Sequence, residues 1–360
     1  MAVYTQIDNP AEFFSVKIYS GSGSNTTVAH GLTGGAPEMF VIKRRDSTGG
    51  WINWNTGLTN NSYYMQWNNS DQQDNSTNNL QNTATTTTNI SIGDQAFTNA
   101  SGGTYVLYSW RAGTSFSNDA SSTSVGTIDS SGTISTKAGI SILKFTGTGS
   151  AGTVAHGLAS TPQMIILKNR TDGSSSFWGV YHHNSFVNAS DPNVLYLNSN
   201  GAVSDDTNVF HTSTTFNSTV FSVGTYNGSN GSSDDIIAYS FTGKQGFSKF
   251  GSYTGNGNDD GSFIFLGFRP AMIIIKRTDA TDHWLLYDDQ RGYNGDIASL
   301  RPNENHSEST ASGYEIDILS NGFKARQNHN DINGSGNSYV YMAFAKQPFV
   351  NSKGVPANAR

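Results

Sequence analysis

Three stretches of this chain carry the same anchors in the same order, and a repeat constrains a fold more than any single motif. The first anchor is an alternating segment ending in aromatic-x-Gly-x-Gly: Tyr19-Ser20-Gly21-Ser22-Gly23, Phe145-Thr146-Gly147-Thr148-Gly149 and Tyr253-Thr254-Gly255-Asn256-Gly257. The second is Pro-x-Met, an apolar run and a lysine, from Pro37 to Lys43, Pro162 to Lys168 and Pro270 to Lys276. A tryptophan follows each proline: Trp51, Trp178 and Trp284. The third anchor is a closing segment, Tyr105 to Trp110, Ile236 to Phe241 and Tyr339 to Phe344. From proline to last aromatic the spacing is 73, 79 and 74 residues (37 to 110, 162 to 241, 270 to 344). Each unit therefore holds roughly 100 residues, a usual size for a β-sandwich.

The residue types point to strands. Only 13% of the 360 residues are charged, about half the usual share for a soluble domain. Asn, Ser, Thr and Gly supply the polarity instead, and these are poor helix-interior residues. A proline suits a strand entry, where its missing N–H costs little. The apolar run behind it reads as a central strand buried on both faces. In the closing segment, alternate aromatics such as Tyr108/Trp110 and Tyr339/Tyr341 share one strand face. The expected architecture is all-β: three tandem β-sandwich, jelly-roll-like domains. Residues 1–13 are read as an N-terminal anchoring arm, 14–112 as repeat 1, 113–138 as linker or hairpin, 139–243 as repeat 2, 245–349 as repeat 3 and 350–360 as a C-terminal tail. Within 113–138, residues 125–128 and 133–135 are the expected hairpin arms. The bare Lys244-Gln245 join predicts that units two and three are rigidly juxtaposed.

Several function classes fall away. The net charge of −6 and the scattered basic residues weigh against a nucleic-acid surface, which shows clustered Lys and Arg. No run is long enough to span a bilayer, the longest being Ala271 to Ile275. There is no cysteine, hence no disulfide and no thiolate metal site. Gly147-Thr148-Gly149-Ser150-Ala151-Gly152 matches a dinucleotide fingerprint, but no helix pattern follows it, so a hairpin loop is the reading.

Candidate chemistry is thin. His30 and His156 recur in Val-Ala-His-Gly-Leu and read as turn residues. His182 and His183 are adjacent, and neighbours on a strand point to opposite faces, so they do not share a metal. Asp259 and Asp260, in a Gly/Asn-rich loop, are a weak calcium candidate without EF-hand spacing. A glycosidase needs two opposed carboxylates; Asp288, Asp289, Glu304, Glu308, Glu315 and Asp317 supply candidates without counterparts in units one and two. Trp51, Trp178 and Trp284, being recurrent, read as packing residues. Trp54, Tyr63, Tyr64 and Trp67 occur in unit one alone, in a polar setting, and are the expected exposed aromatics for stacking on sugar rings. No catalytic residue, cofactor or metal is assigned.

The run from Ala138 to Gly147, Val154 to Leu158 and Pro162 to Lys168 resembles a family of tailed-bacteriophage virion proteins of tail-fibre-like type, common in phages of marine bacteria. So do Gly246 to Gly257, Gly267 to Pro270, Leu319 to Lys324, Tyr339 to Phe349, and the start from Thr5 to Pro10 with Phe14 to Gly23. The resemblance covers nearly the whole chain and brings no agreed catalytic or binding residues. It implies a non-enzymatic virion structural protein, folded in the host cytoplasm, in a tail fibre or spike contacting the host surface. A capsid decoration or head-fibre role is the alternative; a glycan-degrading tailspike is disfavoured, because its β-helix repeats every 20–29 residues. The partners implied are other virion proteins through the arm, a host-surface glycan or receptor, and further copies in a homotrimer. In a fibre, unit one would lie proximal to the particle and unit three distal.

Overall fold

The proline strands form as expected because their apolar runs are buried on both faces. The computed structural model describes residues 4–173, 176–185, 193–211, 216–292, 294 and 297–357. Pro37 and Pro162 stand just ahead of strands Met39–Arg44 and Met164–Asn169, while Pro270 lies inside strand Phe268–Arg277 at a register shift. A bulge is where a residue without an N–H fits a strand. Nearly all regular structure is strand, 41% against 4% helix.

Each unit builds its large sheet in one order: opening strand, closing strand, proline strand, tryptophan strand, all antiparallel. In unit one these are Phe14–Ser20, Thr104–Trp110, Met39–Arg44 and Ile52–Asn55. In unit two they are Ile140–Thr146, Asp235–Phe241, Met164–Asn169 and Gly179–His182. In unit three they are Ser248–Thr254, Ser338–Pro348, Phe268–Arg277 and Trp284–Asp288. A small sheet covers one face of each: strands Thr26–Ala29, Asn89–Ile92 and Leu80–Thr85 in unit one, Gly152–Ala155 and Val220–Val223 in unit two, and Phe263–Phe265, Gly322–Ala325 and Ile316–Leu319 in unit three. The segment between units one and two forms strands Thr114–Asn118 and Ser130–Ser135, which pair with each other and extend the large sheet of unit two. Residues 125–128 are not a hairpin arm; Ile128 instead bridges Val154 in parallel, beside the small sheet.

The other face of each large sheet joins a core common to all three units, including Trp51, Trp110, Trp178, Tyr239, Phe241, Met342 and Phe344. Phe344 sits among Phe14, Trp110, Phe241 and Phe250, with ring centroids 4.9 to 6.1 Å away. The units close a ring. The indole Nε1 of Trp51 in unit one donates to Arg301 O and Glu304 O of unit three at 3.0 and 2.9 Å. Trp284 of unit three donates to Tyr196 O of unit two at 2.9 Å, and Trp178 of unit two to Gln66 O of unit one at 2.9 Å. The anchor lysines follow the same cycle: Lys43 Nζ reaches Asn305 O, Lys276 Nζ reaches Asn200 O and Lys168 Nζ reaches Ser70 O. One patch meeting a different patch, repeated until the chain returns to its start, is the geometry of a closed cyclic trimer, here within one polypeptide. The units are therefore not a row with unit one proximal and unit three distal, because those two touch directly.

Residues 5–13 of the expected arm pack against the body of the chain. Thr5, Ile7, Pro10 and Phe13 are buried, and Asp8 accepts from Ser352 N at 2.7 Å on the C-terminal tail. Phe13 packs edge-on against Phe247. Apolar side chains in this segment gain more by covering the join of units one and three than by extending into water.

Burial pushes the amines of Lys43 and Lys168 down to about 7 and that of Lys276 to about 8. The unfolded chain holds these protons up to the ordinary lysine value, so it binds more protons than the fold above pH 8 and stability rises with pH there. The urea unfolding midpoint is expected to increase between pH 8 and 9.5, and Lys168→Met to flatten that rise by about a third, one lysine of three. A flat midpoint across this window in the parent chain would contradict the buried amines.

Candidate functional site

The aromatics expected at the surface lie inside. Trp54 and Trp67 are 3% exposed and Tyr64 5%, while Tyr63 is half-buried. Trp54 stacks on Phe40 at 5.1 Å and Trp67 on Trp51 at 5.8 Å, and the Tyr64 hydroxyl donates to Asp74 at 2.8 Å. The polar neighbours that made this segment look like surface are themselves interior. Asn53 and Asn55 are buried and hold the Tyr239 hydroxyl from both sides, each at 2.7 Å. Trp51, Trp178 and Trp284 are buried at the ring contacts described above.

The histidines serve as backbone staples. In His30 and His156, Nδ1 accepts the amide of Leu32 or Leu158 and Nε2 reaches Thr86 O or Asn217 O. With Nδ1 accepting, the neutral tautomer carries its proton on Nε2, and burial lowers both pKa values. His182 and His183 diverge, to Tyr341 O at 3.2 Å and Phe250 O at 3.1 Å, both tying unit two to unit three.

The carboxylates proposed for chemistry are engaged. Asp288 bonds Arg291 Nε at 2.6 Å and accepts from the Tyr108 hydroxyl at 2.6 Å across the unit one–unit three join. Glu308 takes both Nε and Nη2 of Arg45, at 2.9 and 3.0 Å, and Arg291 at 3.3 Å. Glu304 holds Arg301, Asp317 holds Arg326, and Asp289 lies 3.4 Å from Lys346. Glu315 accepts the amide of Gly313. Asp260 pairs with Lys324 at 2.5 Å and with Arg326, in place of a cation. Among the described residues no three His, Asp or Glu side chains are grouped as a metal ion requires. One carboxyl pair escaped the sequence reading: burial, then the hydrogen bond with Asp282, pushes Asp331 up to about 7. Both residues sit on loops unlike their counterparts Gly49 and Phe97 in unit one, which was the available signal.

A cleft of about 680 Å³ lies in unit two, lined by the added hairpin, the opening strand Ile140–Thr146 and the loop before Ser130. Arg170, Asp235, Lys144, Asp119 and Asp129 line it with the hydroxyls of Ser117, Ser131, Thr146 and Thr148. Asp235 pairs with Arg170 at 2.6 Å, Asp129 accepts the Ala120 amide, and Asp119 caps residues 120–123. The cleft offers hydrogen bonds to a polar ligand, but its acids already hold donors. Of the aromatics that do reach solvent among the described residues, Tyr4, Phe97, Phe177, Phe263 and Phe265, the last two share one strand, at 47% and 54% exposure. The sequence carried that signal too, since units one and two have Thr27/Ala29 and Thr153/Ala155 at those stations.

The model of the family described as Domain of unknown function (DUF7483) matches residues 4–118 and again residues 94–348. The chain belongs to that family. No curated protein matches it. The two matches to DUF7483 overlap around strand Thr104–Trp110 and the hairpin strand that follows, where unit one passes into unit two.

In this DUF7483 chain, Trp54→Ala and Trp67→Ala are expected to behave as core deletions. Each should cost roughly 3–5 kcal/mol of unfolding free energy, measured by denaturant titration. Loss of stability below about 0.5 kcal/mol, the range of surface substitutions, would return these residues to the surface.

Proposed function

We propose that this DUF7483 chain is a non-enzymatic virion structural protein of a tailed phage, a tail-fibre or spike component that contacts the host surface. The observation that carries the reading is where the chain's polar chemistry is placed. The indoles, anchor lysines, His182, His183, Asp288 and Glu308 all bind across joins between units, so these groups hold the chain together rather than face a substrate. The resemblance to virion proteins agrees with it. A homotrimer of chains would need surfaces other than the large-sheet faces, which the three units already bury against one another.

A second reading is favoured by the ring itself. Three units side by side around a common core make a block rather than a rod, and a block suits a capsid decoration or head-fibre base. Gold-labelled antibody against unit three, viewed on intact particles by electron microscopy, separates the two. Label at the tail is expected. Label over the head would make the chain a decoration protein, and its absence from particles would overturn both readings. Release of reducing ends from host polysaccharide by the purified chain would overturn the non-enzymatic assignment.

A further inference from the structure

Strand Phe263–Phe265 is the edge of the unit-three small sheet, paired on one side only, with Gly322–Ala325. Ile264 points inward and is buried, while Phe263 and Phe265 face solvent. An exposed apolar edge strand is a template for another strand, and proteins ordinarily blunt it. The equivalent edge in unit two is closed by the chain itself. The amides of Thr127 and Ile128 donate to Thr153 O at 2.9 and 3.0 Å, and Ser130 Oγ donates to Ala155 O at 2.8 Å. The architecture thus leaves room along this edge for an added strand, and unit three has no such segment of its own among the described residues.

We propose that the Phe263–Phe265 edge docks a second copy of this chain, the two strands pairing antiparallel about a twofold axis at Ile264. Phe263 then stands opposite the partner's Phe265, twice, giving two cross-strand aromatic pairs on the outer face. This accounts for phenylalanine where the other units keep Thr and Ala. The flanks are complementary under the same rotation. Asp259 precedes the strand, next to Asp260, which Lys324 and Arg326 already hold, and Lys249 lies at its far end, its Nζ 2.6 Å from Phe265 O and 5.6 Å from the Phe265 ring centroid. Antiparallel pairing brings Asp259 of one copy toward the Lys249 end of the other. The Phe265 carbonyl has a second lone pair for the incoming strand. The contact is isologous, so assembly stops at two.

Sedimentation velocity of the full chain tests this against a Phe263→Thr/Phe265→Ala double variant. The variant carries the residue types that Thr153 and Ala155 place on the equivalent strand, so its thermal midpoint should match the parent's. A monomer–dimer equilibrium at high micromolar concentration is expected for the parent, weakened about tenfold in the variant by loss of the two aromatic pairs. A parent that stays monomeric, a parent that forms trimers, or a variant that dimerises equally well would each overturn the proposal.

Discussion

Three indole N–H groups, each donating to a backbone carbonyl of the next unit, hold the structure in its closed form. A buried indole nitrogen without an acceptor costs about 1–3 kcal/mol, so each tryptophan enforces the neighbour that satisfies it. The backbone amide of each is held by an asparagine side chain, Asn68, Asn198 and Asn303, at 2.9 to 3.0 Å. The ring in turn permits the shared core. A single sandwich would leave the large-sheet face with Trp110, Phe241 or Phe344 in water, and each unit buries that face only because two others supply the remaining surface.

Repetition also shows where the units differ. Four residues after the tryptophans stand Asn55, His182 and Asp288, and each makes the cross-unit contact with different chemistry: a tyrosine hydroxyl, a backbone carbonyl, and a tyrosine within an arginine-anchored ion-pair chain. A buried charge survives only with partners. Asp288 has Arg291, and Glu308 and Arg45 extend that chain to the rim.

The sequence made the repeats, strand types and unit size legible, because periodicity and proline placement act locally. It did not show that the units close on one another, since that depends on carbonyls of Arg301, Tyr196 and Gln66, and backbone carbonyls leave no residue signature. The misplacement of Trp54, Tyr64 and Trp67 has the same origin. Asn53 and Asn55 looked like solvated neighbours, yet their amides are satisfied by a tyrosine of the next unit. The burial of residues 5–13 was not legible either, because Thr5 is covered by residues some 240 and more positions away, around Gly246 and Pro348. The Phe263–Phe265 edge was legible by comparing the three units station by station, a comparison of outward rather than inward positions.

The contact that closes the ring joins its first and last units, with Trp51 waiting on carbonyls some 250 residues downstream. At roughly 5–20 residues per second of synthesis, unit one spends on the order of ten seconds or more with the large-sheet face that joins the common core uncovered by unit three. Ring closure thus waits until unit three has been made. The nascent chain carries a sticky, half-built wall through most of its birth, and a ribosome stall or truncation after unit two would leave an adhesive fragment rather than a smaller working protein.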